Sequence, residues 1–290
     1  PYVSPVVAGK ARVQDGFQTV EYKPPYVKPK DVVTPAQFMT RKAGEQFNGT
    51  LSPSERLNQC RMELMTNQDE SIALRIEEMV SQMVTTGKVI AEGENFPKQE
   101  IDYGMAATNN LTITGASRWS QLAVTSTQPR TDIETWAAAC KVTPNTIVMG
   151  KTAYLEFIKF DVIRDVIDNN YRGNEESRLD RAAGNGEHVQ FKGMYGSYAV
   201  YVYTGSYDDA NGDEQRFISD TRLIMCSTGI NGAVLYGAIQ HLRALRGMSR
   251  FPTNWEQEDP SVEFIMTQSA PLPALPSIDD ICTVDLDGGA

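Results

Sequence analysis

The chain predicts an α+β fold, on three observations. One stretch with helical periodicity, Ser52 to Thr86, is far longer than an average helix. From Asp132 onward, short helical patterns alternate with strand runs rich in β-branched and aromatic residues. The last fifty residues are extended, apolar and punctuated by proline. A length of 290 residues allows one large domain or two modest ones with a real core.

Residues 1–51 are unlike a core. Tyr2-Val3-Ser4-Pro5 is extended by composition, and Asp15-Gly16 is a turn signal between two strand-like runs, which predicts a hairpin. Its return limb, Lys23-Pro24-Pro25-Tyr26-Val27-Lys28-Pro29-Lys30, is stiffened by proline. An isolated two-stranded arm is marginal in water, so it is expected to lie on the rest of the chain or on a neighbouring subunit. The long helix comes next. Ser52 is a good N-cap, Pro53 suits the first helical position, Glu55 completes a capping box and Gly87 is a natural stop. Apolar residues recur at Leu57, Cys60, Leu64, Ile72, Ile76, Met79 and Met83. Asn67-Gln68-Asp69 in its middle is the weak point, at which the helix could bend.

Lys88–Ala91 and Lys98–Tyr103 bracket a turn and predict a hairpin. Residues 109–131 are polar and loop-like, carrying Trp119. Asp132 to Cys140 is a short helix with acid near its N-terminus, as the helix dipole favours. Thr146–Met149 is a buried strand, Lys151–Phe160 a helix, and Asn169–Glu187 a glycine-rich charged stretch expected to be mobile. Ser197–Tyr203 and Arg222–Cys226 are strands on either side of an acidic loop around Asn211-Gly212. From Val262 two extended runs are expected, separated by Pro271, Pro273 and Pro276, the second being Ile281–Leu286.

Composition narrows the function. The net charge of −10 argues against a surface whose main task is gripping nucleic acid, which needs clustered Lys and Arg. It leaves room for a protein that encloses DNA without holding it. Four scattered cysteines, Cys60, Cys140, Cys226 and Cys282, form no C-x-x-C pair and predict buried free thiols. No apolar run is long enough for a membrane helix. No signal peptide pattern is present, so the glycosylation patterns at Asn48 and Asn110 are read as incidental. Pro1 stands where an initiator methionine is expected, which predicts a processed or trimmed chain.

Reactive chemistry finds little support. Gly150-Lys151-Thr152 follows a strand and precedes a helix, but a phosphate-binding loop needs glycine at the position held by Asn145. His188 and His241 lack partners at metal-ligand spacing. No G-x-S-x-G elbow exists. Asp208, Asp209, Asp213 and Glu214 do not match a calcium-binding loop and read as solvated surface. Neither catalytic residues nor a cofactor or metal is expected.

The C-terminal wording is the most particular in the chain: Phe251-Pro252-Thr253-Asn254-Trp255, then Asp259-Pro260, then Glu263-Phe264-Ile265-Met266-Thr267-Gln268-Ser269-Ala270-Pro271-Leu272. Together with Tyr2-Val3-Ser4-Pro5, Tyr26–Lys30, Phe191-Lys192-Gly193-Met194-Tyr195-Gly196, and Tyr236-Gly237 with Ile239-Gln240, it resembles the lambda-type tailed-phage major capsid protein, in matching order along nearly the whole chain. The resemblance implies a Hong Kong-type capsid fold: an extended loop, a peripheral domain with a long spine helix, and an axial domain. Residues 1–51 would be the extended loop and its connection, 52–131 the peripheral domain with the spine helix, 132–236 the axial domain, and 237–290 the return to the peripheral domain. The family carries an N-terminal arm ahead of the extended loop. No lysine–asparagine cross-linking pair can be matched in this sequence.

The resemblance further implies a structural head protein of a phage or prophage. Its copies would form hexamers and pentamers of an icosahedral shell around double-stranded DNA, with scaffold, portal and decoration proteins as partners. It would reside in the virion after assembly in the host bacterial cytoplasm, with no membrane role. Maturation would rotate subunits and bend the spine helix and extended loop. Candidate inter-subunit contacts are Tyr26, Lys28 and Lys30 in the arm, Arg172 and Arg178 in the glycine-rich stretch, and Asn211 in the acidic loop. The competing readings are a cellular compartment shell with the same fold, and a soluble α/β enzyme using Lys151 or the loop around Asp208.

Overall fold

A computed structural model describes residues 23–39, 51–93, 96–171, 188–209 and 212–288. The predicted hairpin around Asp15-Gly16 lies outside them, as do residues 172–187 of the glycine-rich stretch.

The described chain opens with an extended segment leading into strand β1 (Lys30–Val33) and a one-turn helix α1 (Pro35–Met39). Helix α2 (Pro53–Thr86) then runs 34 residues, about 50 Å at 1.5 Å per residue. Its ends are those the sequence specifies. The Ser52 hydroxyl accepts from the Glu55 N–H while the Glu55 carboxylate accepts from the Ser52 N–H at 2.6 Å. Gly87 ends the helix in the left-handed region at φ 70°, donating its N–H to the Met83 carbonyl. Residues 67–69 do not interrupt α2, which is one continuous helix.

β2 (Lys88–Gly93) and β3 (Phe96–Asp102) form the predicted hairpin. The stretch expected to be a polar loop instead contains β4 (Asn110–Thr112) and two short 3-10 turns, with Trp119 at the centre of the main core. Helix α3 (Gln128–Ala139) starts a turn earlier than Asp132, with Pro129 in its first turn. Next come β5 (Thr146–Met149), α4 (Lys151–Lys159) and α5 (Asp161–Tyr171). Helix α5 is an element the periodicity did not suggest, and it takes in residues 169–171 of the stretch expected to be mobile.

β6 (Val189–Tyr195) and β7 (Tyr198–Tyr203) make a hairpin turning at Gly196, φ 59°. β8 (Ser206–Asp208) and β9 (Glu214–Arg216) form a small ribbon. β10 (Arg222–Cys226), β11 (Ala233–Tyr236), β12 (Phe251–Gln257), β13 (Val262–Gln268), β14 (Pro271–Ala274) and β15 (Cys282–Asp285) complete the chain. The tail therefore holds three strands after Val262, not two. Pro271 and Pro273 sit inside β14 and do not separate strands. Proline is tolerated there because β14 pairs with β11 alone, in a two-stranded sheet.

The largest sheet has the order β4-β15-β10-β5-β7-β6. It draws on residues 110–112, 146–149, 189–203, 222–226 and 282–285. Trp119 is 0% exposed beneath it, stacked on Trp136 at 5.7 Å and edge-on to Phe160 at 5.9 Å. The second sheet, β1-β13-β12, covers the first half of α2, where Cys60, Val33 and Ile265 meet. The second half of α2 packs Met79 and Met83 against Val89, Ile101, Leu272 and Ile278. Helix α2 therefore joins two separate apolar clusters along its length, which is what makes it a strut.

Candidate functional site

The enzyme-like motifs are occupied by the chain's own backbone. The Gly150 N–H donates to the Arg222 carbonyl at 2.9 Å, and the Ala153 N–H, at the start of α4, donates to the Asp220 carbonyl at 2.7 Å. A Cβ at Gly150 would collide with the backbone of Ser219 and Asp220. The turn before Lys151 is thus pressed against another loop, with no concave nest for a phosphate.

In the acidic loop, the Asp209 carboxylate accepts from the Asp213 N–H at 3.0 Å, so it caps its own turn. His241 Nδ1 accepts from the Arg243 N–H at 3.2 Å and its ring lies 5.1 Å from Phe251. Among the described residues no three His, Cys, Asp or Glu side chains gather as a metal site. Cys60, Cys140 and Cys282 are buried free thiols and Cys226 is half-buried, with burial pushing its thiol up to about 11.

The arm candidates lie along the strand β13. Val27 exchanges backbone hydrogen bonds with Ser269 at 2.9 and 3.0 Å, and Lys30 to Val33 continue the ladder opposite Met266 to Glu263. The Tyr26 hydroxyl donates to Gln268 Oε1 at 3.0 Å and accepts from the Gln240 N–H at 3.1 Å. Lys28 Nζ sits 4.7 Å from the Tyr26 ring centre. Lys30 Nζ sits 4.0 Å from the Phe264 ring and 5.1 Å from that of Trp255. Of the two expectations for this segment, residues 26–33 take the first and lie on their own chain. The charged ends of Lys28 and Lys30 remain at the surface. Arg172, Arg178 and Asn211 fall outside the described residues.

Behind that strand lies a polar cluster that sequence reasoning missed. Gln68, 1% exposed, donates from Nε2 to Asp31 Oδ2 at 2.7 Å and to the Ile265 carbonyl at 2.9 Å, while its Oε1 accepts from the Thr267 hydroxyl at 2.8 Å. One turn-pair earlier on α2, Arg61 Nε donates to Glu263 Oε2 at 2.8 Å, and Glu263 also accepts from Asn254 Nδ2 at 2.9 Å. Glu263 is only 7% exposed, so this pairing satisfies a desolvated charge. The signal was legible: Cys60, Leu64, Ile72 and Ile76 fall on one face at multiples of four, and Gln68 occupies the slot between them on the apolar stripe.

The second half of α2 is fixed to the large-sheet side. The Ser81 hydroxyl donates to the Phe217 carbonyl, and the Tyr203 hydroxyl to the Glu77 carboxylate. Burial, reinforced by that carboxylate, pushes the Tyr203 phenol well above its usual range. A groove of about 410 Å³ runs between residues 25–29, α2 and the β2–β3 hairpin, with Arg75, Glu78 and Ile90 on its walls. What this arrangement does chemically is hold a long helix in fixed relation to two sheets and lay an extended arm across one of them.

Comparison with known proteins gives the family. The family model described as phage major capsid protein E matches residues 1–286. The chain is similar to the major capsid protein of Escherichia phage lambda, 34% identical over 292 residues, covering 98% of this chain and 84% of that one. It is likewise 34% identical over 295 residues to the major capsid protein of Enterobacteria phage P21, with the same coverage of 98% and 84%. A crystal structure of a prophage capsid protein from E. coli CFT073 superposes with a TM-score of 0.77 at 32% identity, covering 90% of this chain and 77% of that one.

Proposed function

Because this chain belongs to the phage major capsid protein E family, we propose that it is the repeating subunit of a phage or prophage head, with copies joining as hexamers and pentamers of an icosahedral shell around double-stranded DNA. It is a structural protein with a Hong Kong-type capsid fold and not an enzyme. The observation that carries the proposal is the family match over residues 1–286, which takes in every strand and helix of the structure.

Within that reading, α2 is the spine helix and residues 132–236 supply the part that meets its copies around the capsomer axis. Residues 52–131 and 237–290 form the peripheral part, and residues 1–51 carry the extended loop expected to overlap a neighbour. The bonds from Gln68 and Arg61 to the β1-β13-β12 sheet support a spine that transmits load between two packed clusters. Lys28, Lys30, Arg172, Arg178 and Asn211 remain contact candidates under this proposal, with Tyr26 positioning the arm. A net charge of −10 suits an inner wall that confines DNA without binding it. Scaffold, portal and decoration proteins are the expected partners, assembly is expected in the host cytoplasm, and the product is a component of the virion.

The test is negative-stain electron microscopy of the protein expressed from its complete gene, over a concentration series, with and without the neighbouring head genes. Closed shells, or rings of five and six, are expected. Persistent monomers under every condition would sink the proposal.

A further inference from the structure

The connection between β11 and β12 is unusual in charge, exposure and backbone. From Thr221 to Trp255 the sequence contains no Asp or Glu, in a chain with 37 of them and a net charge of −10. Four arginines fall in the same stretch. Arg222 reaches Asp285 and Arg250 pairs with Asp69. Arg243 and Arg246 are exposed and have no ion pair among the described residues.

Between and beside them stand Leu242, 95% exposed, and Leu245, 71% exposed, two of the most exposed large apolar side chains described. Single exposed leucines need no explanation, but two at the tip of one short loop, alternating with two unpaired arginines, do. Arginine is enriched at protein interfaces, and two exposed leucines beside it form an apolar surface poorly suited to a solvated loop.

The loop is also rigidly built. The Ala238–Gly247 bridge closes its base, and the Ile239 side chain is fully buried beneath it. Ile239 N–H donates to the Arg246 carbonyl at 3.0 Å, and Ala244 N–H to the His241 carbonyl at 2.9 Å. A Cβ at Gly247 would come within 2.7 Å of the Tyr236 carbonyl, so the two limbs are in close contact. Leu245 has φ 44° and is the one non-glycine residue with positive φ among those described. That conformation is costly for a bulky L-residue, and glycine would adopt it freely. Here the chain keeps a leucine, holds it in place by the surrounding hydrogen bonds, and points it at water. Such cost without local return is a mark of function.

We propose that residues 241–246 are a preformed docking knob for a second copy of this chain, in which Leu242 and Leu245 enter an apolar recess of the neighbour while Arg243 and Arg246 meet its carboxylates. The occupant follows from charge complementarity: the acid-free stretch is the local exception on an acidic subunit, and all 37 Asp and Glu of another copy lie outside its own copy of this stretch, against 23 of its 27 Lys and Arg. Rigidity lowers the ordering cost of the contact, which a multi-copy lattice repeats at every subunit. The inference rests on the capsid reading above and deepens it by naming one contact.

The experiment uses the full chain where the wild type closes shells. One variant carries Leu242→Ser with Leu245→Gly, the other Arg243→Glu with Arg246→Glu. Both should keep wild-type circular dichroism and melt no lower than the wild type, since these side chains face solvent in the subunit and glycine adopts the φ at position 245 freely. Both should lower particle yield at least ten-fold. A third protein carries p-benzoylphenylalanine in place of Leu242, and irradiated particles should give a cross-link to a second copy, in a peptide bearing Asp or Glu. Normal particle yield from both variants overturns the inference and leaves the capsid reading standing, as does a cross-link only to a different protein. A wild type that never assembles overturns the capsid reading, and this inference with it.

Discussion

Replacing Gln68 by leucine would complete the apolar stripe of α2, and simple hydrophobic counting says that this should stabilise the protein. The structure predicts the opposite. Gln68→Leu removes a hydrogen bond to the Asp31 carboxylate, about 2 kcal/mol, and two neutral ones with the Ile265 carbonyl and the Thr267 hydroxyl, about 1 kcal/mol each. It also leaves the Thr267 hydroxyl, 4% exposed, without that acceptor. Leucine returns about 1 kcal/mol through its extra apolar surface. The net loss is about 3 kcal/mol, a fall in Tm of about 6 °C for a chain of this size. Denaturant and thermal unfolding of unassembled subunits measure it. Gln68→Glu, which places a second carboxylate against Asp31, should fall further at neutral pH. A Gln68→Leu subunit as stable as the wild type, or more so, would refute the reasoning. It would mean that the desolvation of these polar groups already offsets their hydrogen bonds.

Other consequences are open to measurement. The Thr283 hydroxyl is buried with no hydrogen-bond partner in the described structure, in a strand that suits β-branched residues. Thr283→Val should therefore be neutral or stabilise by up to about 1 kcal/mol, read by the denaturation midpoint. The Lys141 ammonium and the Ala106 N–H hold the Asp279 carboxyl below its ordinary value of 3.8. Its stabilisation is complete above that value and is lost as pH falls below it through the lower folded value. An acid-unfolding curve of Asp279→Asn should lose this part of its slope while matching the wild-type slope at pH 7. With Cys60 and Cys282 buried and Cys226 pushed up to about 11, thiol reagents at pH 8 should label these three only as fast as the subunit opens. Rapid labelling of native subunits at any of the three would contradict the structure.

Local rules made much of the fold legible in advance. The capping box at Ser52 and Glu55, the glycine stop at Gly87 and the turn after Ala91 are short-range signals, and the structure follows each of them. The departures arise where tertiary contacts decide. Asn67-Gln68-Asp69 looks like a break when read alone, but the partners that hold Gln68 in the helix come from β1 and β13, at opposite ends of the chain. Trp119 sits in a polar stretch whose neighbours hid its burial, because the residues it packs against are Trp136, Phe157 and Phe160. Helix α5 follows α4 after Phe160, which leaves the helical region at ψ 130°, a change of direction that periodicity alone does not register. The arm candidates Tyr26 and Lys30 were identifiable as aromatic and basic residues on a stiff segment. That they lie along β13 depends on a register no local pattern encodes.

The three strands β13, β14 and β15 fall between Val262 and Asp285, C-terminal to every strand they pair with, and each completes a different sheet. β13 is the central strand between β1 and β12, β14 is the partner of β11, and β15 stands between β4 and β10. Translation proceeds from the N-terminus, so the earlier strands must wait for the last of these residues before those sheets can close. Pairings between distant parts of a chain form slowly for the entropy they cost. The architecture thus sets a timetable: hairpins such as β2–β3 and β6–β7 can form early, while the joined body exists only once Asp285 has been made. A nascent chain short of Asp285 therefore has no finished surface to offer to other copies.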